Sequence, residues 1–429
     1  MTEAVPPARD PGRDLASAGE LLDLVRSGRA TTRSDLRRLT GLSRTAVVAR
    51  VHALTEAGLL LLGAELASTG GRPPGSLVFN TDAGVVLAAA IGRSRAQVGV
   101  FDLAGEERAS AEFDLELGAG PDEVMPAVAE KLGGLLTDLS AAEPADAADP
   151  SVSPLPPVLG VGVSLPGVVD SRRGVSVDTP VLPGWNDVPL APYLGEVTDA
   201  PLFLANDANA LARSEYLGHA AGAGGMSDLL VVKASTGIGL GVLVKRTIVT
   251  GSRGGAGDIG HAKVPDAAGR PCRCGDTGCL ETVAAGWSLV ARMQEEGRQV
   301  HHVRDLVGLA LNGDPEAKLL LRESGRQLGE LLAVAINLLN PEAVVLGGDM
   351  AAAYDVYAAG VRESVYARAS ALATRELQIL PSTYGDRAGL VGCAALALKR
   401  VLSPAAVDAR LARGRLVEEA RVRPAPAGV

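Results

Sequence analysis

Near Thr81 the hydrophobic period of this 429-residue chain changes, and the change splits the folding problem in two. Before it, apolar residues recur at helical spacing. Leu21, Leu22 and Val25 predict a first amphipathic helix. Thr32 is placed to cap a second, with Leu36 and Leu39 inward, and Gly41 makes the turn that follows. Ser43 caps a third, whose inner face is Val47, Val51 and Leu54, and Gly58 ends it. Leu59–Leu66 and Ser76–Phe79 then read as strands joined through Gly70–Gly75. Three helices and a hairpin predict a winged helix-turn-helix over residues 18–80, preceded by a disordered tail, 1–17.

After Thr81 strands alternate with helices, which predicts an α/β domain over residues 81–402. Val85–Ile91 and Gln97–Leu103 read as a hairpin, followed by strands at Val158–Val163, Leu202–Ala205, Leu229–Lys233, Ile238–Val244 and Ala343–Leu346. Glu281–Glu296, Ala317–Asn340 and a stretch near Leu390–Leu402 read as helices. Val85–Leu103 and Leu229–Val244 echo each other: apolar strand, Gly-containing turn, apolar strand. The echo predicts a duplicated fold with lobes at about 81–205 and 206–402 and a cleft between them. Ala141–Pro157, rich in Ala, Pro, Asp and Ser, reads as a surface loop, and residues 403–429 as a helix and tail.

Charge sharpens the division. The net charge of −9 argues against a chain that coats nucleic acid along its length. Residues 1–80 nevertheless carry ten Arg against eight acidic residues, and Arg26–Arg50 contains seven Arg and a single Asp. A basic module on an acidic body suits local contact with DNA phosphates, although a solvated helical face has the same composition. No unbroken apolar run reaches the roughly 18 residues of a membrane span, and Met1–Asp14 lacks the apolar core of a signal peptide, so a cytoplasmic protein with no membrane partner is expected.

Three segments can carry chemistry. In His261-x10-Cys272-x-Cys274-x4-Cys279, three thiols and an imidazole match the tetrahedral preference of zinc. Four protein ligands close the coordination shell, so such an ion is structural; the alternative is a group of buried or redox cysteines. Cys393, in an Ala-rich helix, reads as a small core residue. Asn206-Asp207-Ala208-Asn209 follows an apolar strand, where a carboxylate can orient or deprotonate a sugar hydroxyl or, alternatively, cap the next helix. In Ser235-Thr236-Gly237-Ile238-Gly239-Leu240-Gly241, small residues between two strands permit close backbone approach to a ligand, or simply a tight hairpin.

Together these segments resemble the ROK family, named for repressors, open reading frames and kinases. The resemblance runs from about Gly19 to Arg400. Its most specific part is Gly257-Asp258-Ile259-Gly260-His261 with Cys272-Arg273-Cys274-Gly275-Asp276-Thr277-Gly278-Cys279-Leu280-Glu281. Leu204–Ala210, Thr236–Gly239 and Val344–Gly348 match further blocks. The resemblance implies a two-lobed actin-like, ribonuclease-H-like sugar-kinase fold. It implies sugar contacts from Asn206, Asp207, Asp258, His261 and Glu281, with His261 bonding sugar through one ring nitrogen and zinc through the other. It also implies that Pro183-Gly184-Trp185 lies near the sugar. Two departures stand out. Kinases of the family open their first hairpin with Asp followed by Gly-Gly-Thr, whereas this chain has Ala90-Ile91-Gly92-Arg93-Ser94. Alanine cannot help hold magnesium, and Arg93 puts a bulky side chain where backbone should meet ATP phosphates. Asp258 stands where the family usually has Glu.

With Val47, Val51 and Leu54 inward, the third helix presents Arg44, Thr45, Val48 and Ala49, the positions from which recognition helices reach base edges. Arg33, Arg37, Arg38 and Arg50 suit phosphates. Gly70-Gly71-Arg72-Pro73-Pro74 resembles the wing of ROK repressors, with Arg72 slim enough to enter a narrow minor groove. The expected function is a sugar-responsive regulator, a repressor of carbohydrate genes, that binds operator DNA as a homodimer or homotetramer. It takes a sugar or sugar phosphate in its cleft and holds structural zinc; Asp207 is then a vestigial base position and no residue is catalytic. The alternatives are an active ATP-dependent sugar kinase with an added DNA-binding domain, and a regulator that answers to a protein partner.

Overall fold

The computed structural model describes residues 16–65, 75–142, 157–178, 182–220 and 225–422. Arg72 and the rest of the expected wing tip lie outside the described residues, as does most of the 141–157 loop. The chain forms two compact units, Val85–Leu398 and a second made of Met1–Gly84 together with Lys399–Val429.

In the smaller unit, α1 (Ala18–Arg26), α2 (Arg33–Thr40) and α3 (Arg44–Glu56) precede an antiparallel pair, β1 (Leu60–Glu65) and β2 (Gly75–Phe79). Local chemistry sets the helix starts. Ser17, expected to end the tail, instead caps α1 in a reciprocal capping box with Glu20, and Thr32 does the same for α2 with Asp35. The Ser43 hydroxyl accepts from Ala46 N–H at the start of α3. Leu21, Leu22, Leu36, Val47, Val51, Leu54, Leu59 and Leu60 are almost completely buried and form the core.

The C-terminal helix, Pro404–Val422, belongs to this same unit rather than standing apart. Its Asp408 carboxylate accepts from Gly19 N–H at 2.9 Å, placing a negative charge at the N-terminus of α1. Gly19 is needed for the approach: a Cβ there would lie 2.2 Å from the Pro404 carbonyl oxygen. Val407 and Leu411 of the C-terminal helix are buried.

The larger unit contains two five-stranded sheets of the same design. In the first, β3 (Val85–Ile91), β4 (Arg95–Asp102) and β5 (Glu107–Asp114) form an antiparallel meander, α4 (Pro121–Ala142) follows, and β6 (Val158–Leu165) returns parallel to β3. A small hairpin, β7 (Val168–Asp170) and β8 (Val175–Asp178), leads to β9 (Leu202–Asn206), parallel to β6, and then to α5 (Asp207–Ala220). The second sheet repeats the plan with β10 (Leu229–Ala234), β11 (Ile238–Val244) and β12 (Thr247–Ile248). Four helices follow at the position of α4: α6 (Glu281–Ala284), α7 (Gly286–Glu295), α8 (Val303–Leu311) and α9 (Pro315–Leu339); α10 (Tyr354–Arg368) comes after β13 (Ala343–Gly347). A short α11 (Ala371–Thr374) precedes β14 (Gln378–Pro381) and α12 (Ala388–Val401). The strand orders β5-β4-β3-β6-β9 and β12-β11-β10-β13-β14 are equivalent, which is the duplication that the echo in the sequence predicts.

The lobes are not consecutive stretches of chain, as the sequence suggests. The helix that leaves each sheet packs on the other. Small residues let α5 sit on β11, where a Cβ on Gly241 would lie 2.6 Å from the Ala208 carbonyl oxygen. In turn α12 lies on the first sheet: a Cβ on Gly162 would fall 2.0 Å from the Cys393 carbonyl oxygen, and the Cys393 thiol reaches Ala89 O at 3.3 Å. The two helices cross at Gly392, whose missing Cβ would lie 1.8 Å from Ala210 O. Glu281–Glu296, expected as one helix, breaks at Ala285, which adopts extended backbone.

Candidate functional site

A cleft of about 720 Å³ opens between the two sheets, lined by the β3–β4 turn, the β9–α5 junction, the β10–β11 turn, Gly254–His261 and the start of α6. This is the C-terminal edge of the parallel strands, where α/β sheets present ligand sites. Asn206, Asp207, Asp258, His261 and Glu281 all line it.

Each has a different job. Asn206 is largely used up by local structure: its Oδ1 accepts from Ala208 and Asn209 N–H, capping α5, and its Nδ2 donates to Gly167 O. The capping role therefore falls mainly on Asn206. Asp207 Oδ2 lies 2.7 Å from the Lys233 ammonium. Burial opposes the charge on Lys233, but Asp207, with Asp349 and Glu281 in support, outweighs it and holds the ammonium above its ordinary range. Lys233, on β10, was not singled out from the sequence; the signal was a cation inside the apolar strand Leu229–Ala234. Glu281 is buried, its Oε1 accepting from Ile238 N–H at 2.8 Å and its Oε2 from the Trp287 indole at 3.2 Å. Gly237 permits that approach, since a Cβ there would sit 2.6 Å from Glu281 Oε1. Asp258 is exposed on the cleft wall. Trp185, expected near the sugar, is instead buried in the core of the first sheet, its indole donating to Ala119 O at 3.0 Å.

The His261, Cys272, Cys274 and Cys279 ligand atoms all lie within 4.8 Å of one another. His261 Nδ1 is 3.7 Å from Cys272 Sγ, and Cys274 Sγ is 3.8 Å from Cys279 Sγ. A tetrahedral zinc with Zn–S bonds of about 2.3 Å requires edges of about 3.8 Å, so the donor set fits this ion. The Lys263 ammonium, 3.1 Å from Cys279 Sγ, adds positive charge beside the thiols. Burial pushes the Cys272 thiol up to about 12; a bound cation reverses that by stabilising the thiolate.

In the smaller unit, Arg44, Thr45, Val48 and Ala49 are exposed along one face of α3, while Val47, Val51 and Leu54 are fully buried on the other. Arg38 is tied to Asp35 at 3.2 Å, and the Arg50 guanidinium turns back onto Ala46 O. No single helix among the described residues is long and apolar enough to cross a membrane.

Comparison with known proteins agrees with this architecture. The xylose repressor of Bacillus spizizenii is 27% identical over 384 residues, covering 89% of this chain and 94% of that protein. The E. coli transcriptional dual regulator NagC is 27% identical over 361 residues, covering 82% of this chain and 84% of that protein. A glucokinase of Halalkalibacterium halodurans is 32% identical over 251 residues, 55% of this chain and 74% of that protein. Among solved structures, a ROK family transcriptional regulator described as a homologue of the E. coli MLC protein shares the fold with a TM-score of 0.74 at 23% identity, covering 92% of this chain and 98% of that chain. The ROK family model matches residues 86–400, and the chain belongs to the ROK family.

Proposed function

We propose that this protein is a sugar-responsive transcriptional repressor whose kinase-like domain senses a ligand without phosphorylating it. The observation that carries the reading is the state of the cleft. The residues that resemble the family's sugar contacts line it together, whereas the phosphate hairpin holds Ala90 and Arg93, and Asp207 is engaged by Lys233. Phosphoryl transfer needs metal-assisted charge neutralisation and a free base, and both are compromised. The alignment with proteins named as repressors over most of the chain supports the same reading.

In this reading residues 18–80 form a winged helix-turn-helix. Arg44, Thr45, Val48 and Ala49 meet base edges in the major groove, and Arg72 enters the minor groove. The four-residue cluster holds structural zinc, and His261 passes that rigidity to the cleft. The protein acts as a homodimer or homotetramer, with half-sites about 34 Å or a multiple apart. The ligand acts by binding one arrangement of the lobes better than another.

The test is a gel-retardation titration at low salt with the upstream region of the protein's own gene, repeated across a sugar panel. Retardation relieved or strengthened by one sugar is expected. Failure to retard any fragment, or ATP-dependent phosphorylation of a panel sugar at ordinary turnover, overturns the reading and favours an active kinase, for which the similarity to glucokinase speaks.

A further inference from the structure

We propose that Arg93 is an anion receptor in this cleft, so that the cognate ligand carries a phosphate or carboxylate group beside its sugar ring. The proposal rests on the reading of the cleft as a sugar site and adds the charge class of the ligand.

Arg93 sits at the tip of the β3–β4 hairpin and lines the cleft. The tip is held at two points. Gly92 N–H donates to Arg95 O at 2.9 Å, and Ser94 Oγ lies 2.8 Å from His302 Nε2. His302 Nδ1 accepts from Arg304 N–H, so the proton is on Nε2, which donates to Ser94. Arg93 is therefore presented to the cleft by an anchored turn.

Arg273, the other cation that acts on Arg93, lies over the Trp287 ring at 4.5 Å, and two further arginines at the cleft are paired. Arg95 meets Glu112 at 3.3 Å and Arg304 meets Asp114 at 3.4 Å. Arg93 is only partly exposed, yet among the described residues no carboxylate lies within ion-pair distance of it and no hydrogen bond engages its guanidinium. Burial pulls its pKa below the usual arginine range, with Glu281 acting in the opposite direction. Glu281 does not complete the pair: no ion pair joins it to Arg93, and its two oxygens are turned to the Ile238 N–H and the Trp287 indole. A guanidinium half withdrawn from water without a partner costs free energy that a bound anion can offset. Its planar fork matches phosphate and carboxylate oxygens in a way that no neutral hydroxyl can.

The test is calorimetry on the full-length protein with matched triplets: glucose, glucose 6-phosphate and glucuronate, and the same set for N-acetylglucosamine-type sugars. At least one anionic member should bind about tenfold or more tighter than its neutral parent. Arg93→Gln should erase that gap and flatten its salt dependence while leaving the parent's affinity unchanged, Arg93→Lys should restore part of it, and Arg95→Gln should leave it intact. An unchanged melting temperature guards against misfolding. The phosphate and the uronate arms tell which anion is meant. The proposal fails if neutral parents bind as tightly as their anionic partners, or if Arg93→Gln leaves the gap in place. Absence of heat with every member overturns the sugar reading itself, and this proposal with it.

Discussion

The Lys233 ammonium lies 2.7 Å from the Asp207 carboxylate at the floor of the cleft. Both side chains are mostly buried, so each supplies the counter-charge that keeps the other ionised out of bulk water. With Oδ2 committed to the ammonium, that oxygen of Asp207 is not available to a ligand hydroxyl.

A double-mutant cycle measures the pair. Lys233→Met and Asp207→Asn should each lower stability by about 2 kcal/mol in urea unfolding, because each leaves a buried partner uncompensated. Their double variant should lose about 1–2 kcal/mol less than the sum. Strict additivity shows that the contact is incidental.

Acid should weaken the start of α2. The Thr32 hydroxyl, then Arg38 and the Thr31 and Thr32 amides, hold Asp35 down at about 2 against an ordinary 3.8. A depressed carboxylate stabilises the fold above its unfolded value and loses that contribution as pH falls through the folded one. Unfolding of the isolated step between pH 4 and 2, followed by circular dichroism, should be less pH-dependent in Asp35→Ala, whose loss at neutral pH should be about 1 kcal/mol. An identical acid profile in both proteins refutes the assignment.

Gly19→Ala tests the C-terminal helix. The added methyl would meet the Pro404 carbonyl at 2.2 Å, so α1 and the C-terminal helix must separate. A loss of about 1–3 kcal/mol is expected although alanine is the better helix former. Thermal unfolding monitored by a probe in the smaller unit reads it out, and a stabilised variant contradicts the packing.

For the cysteine cluster, purified protein should carry one zinc per chain by elemental analysis, and Cys274→Ala should lose it together with several degrees of melting temperature. Zinc content that survives the substitution rules out the ligand set.

Features determined by neighbouring residues were legible in the sequence. The caps at Thr32 and Ser43, strands β3, β4, β10 and β11, and the convergence of His261 with three cysteines all follow from spacing over a few residues or from one strong chemical preference. Features made by distant partners were not. Strand β5 is an exposed edge of mixed polar residues whose pattern lacks an apolar stripe, and only pairing with β4 makes it a strand. Trp185 looks like a ligand-side aromatic until its acceptor at Ala119 is known. The Lys233–Asp207 pair joins strand β10 of the second sheet to the β9–α5 junction of the first, and the C-terminal helix finds α1 across 389 positions of chain.

The exchange of α5 and α12 between the sheets has a practical consequence for anyone who cuts this gene. A fragment ending at Asn206 would keep the first sheet but lose the helix that shields one of its faces, and the complementary fragment would carry a helix with nothing beneath it. Neither piece is an autonomous module. The pair should regain structure only when co-expressed, as split halves that complete each other through the Gly392–Ala210 crossing.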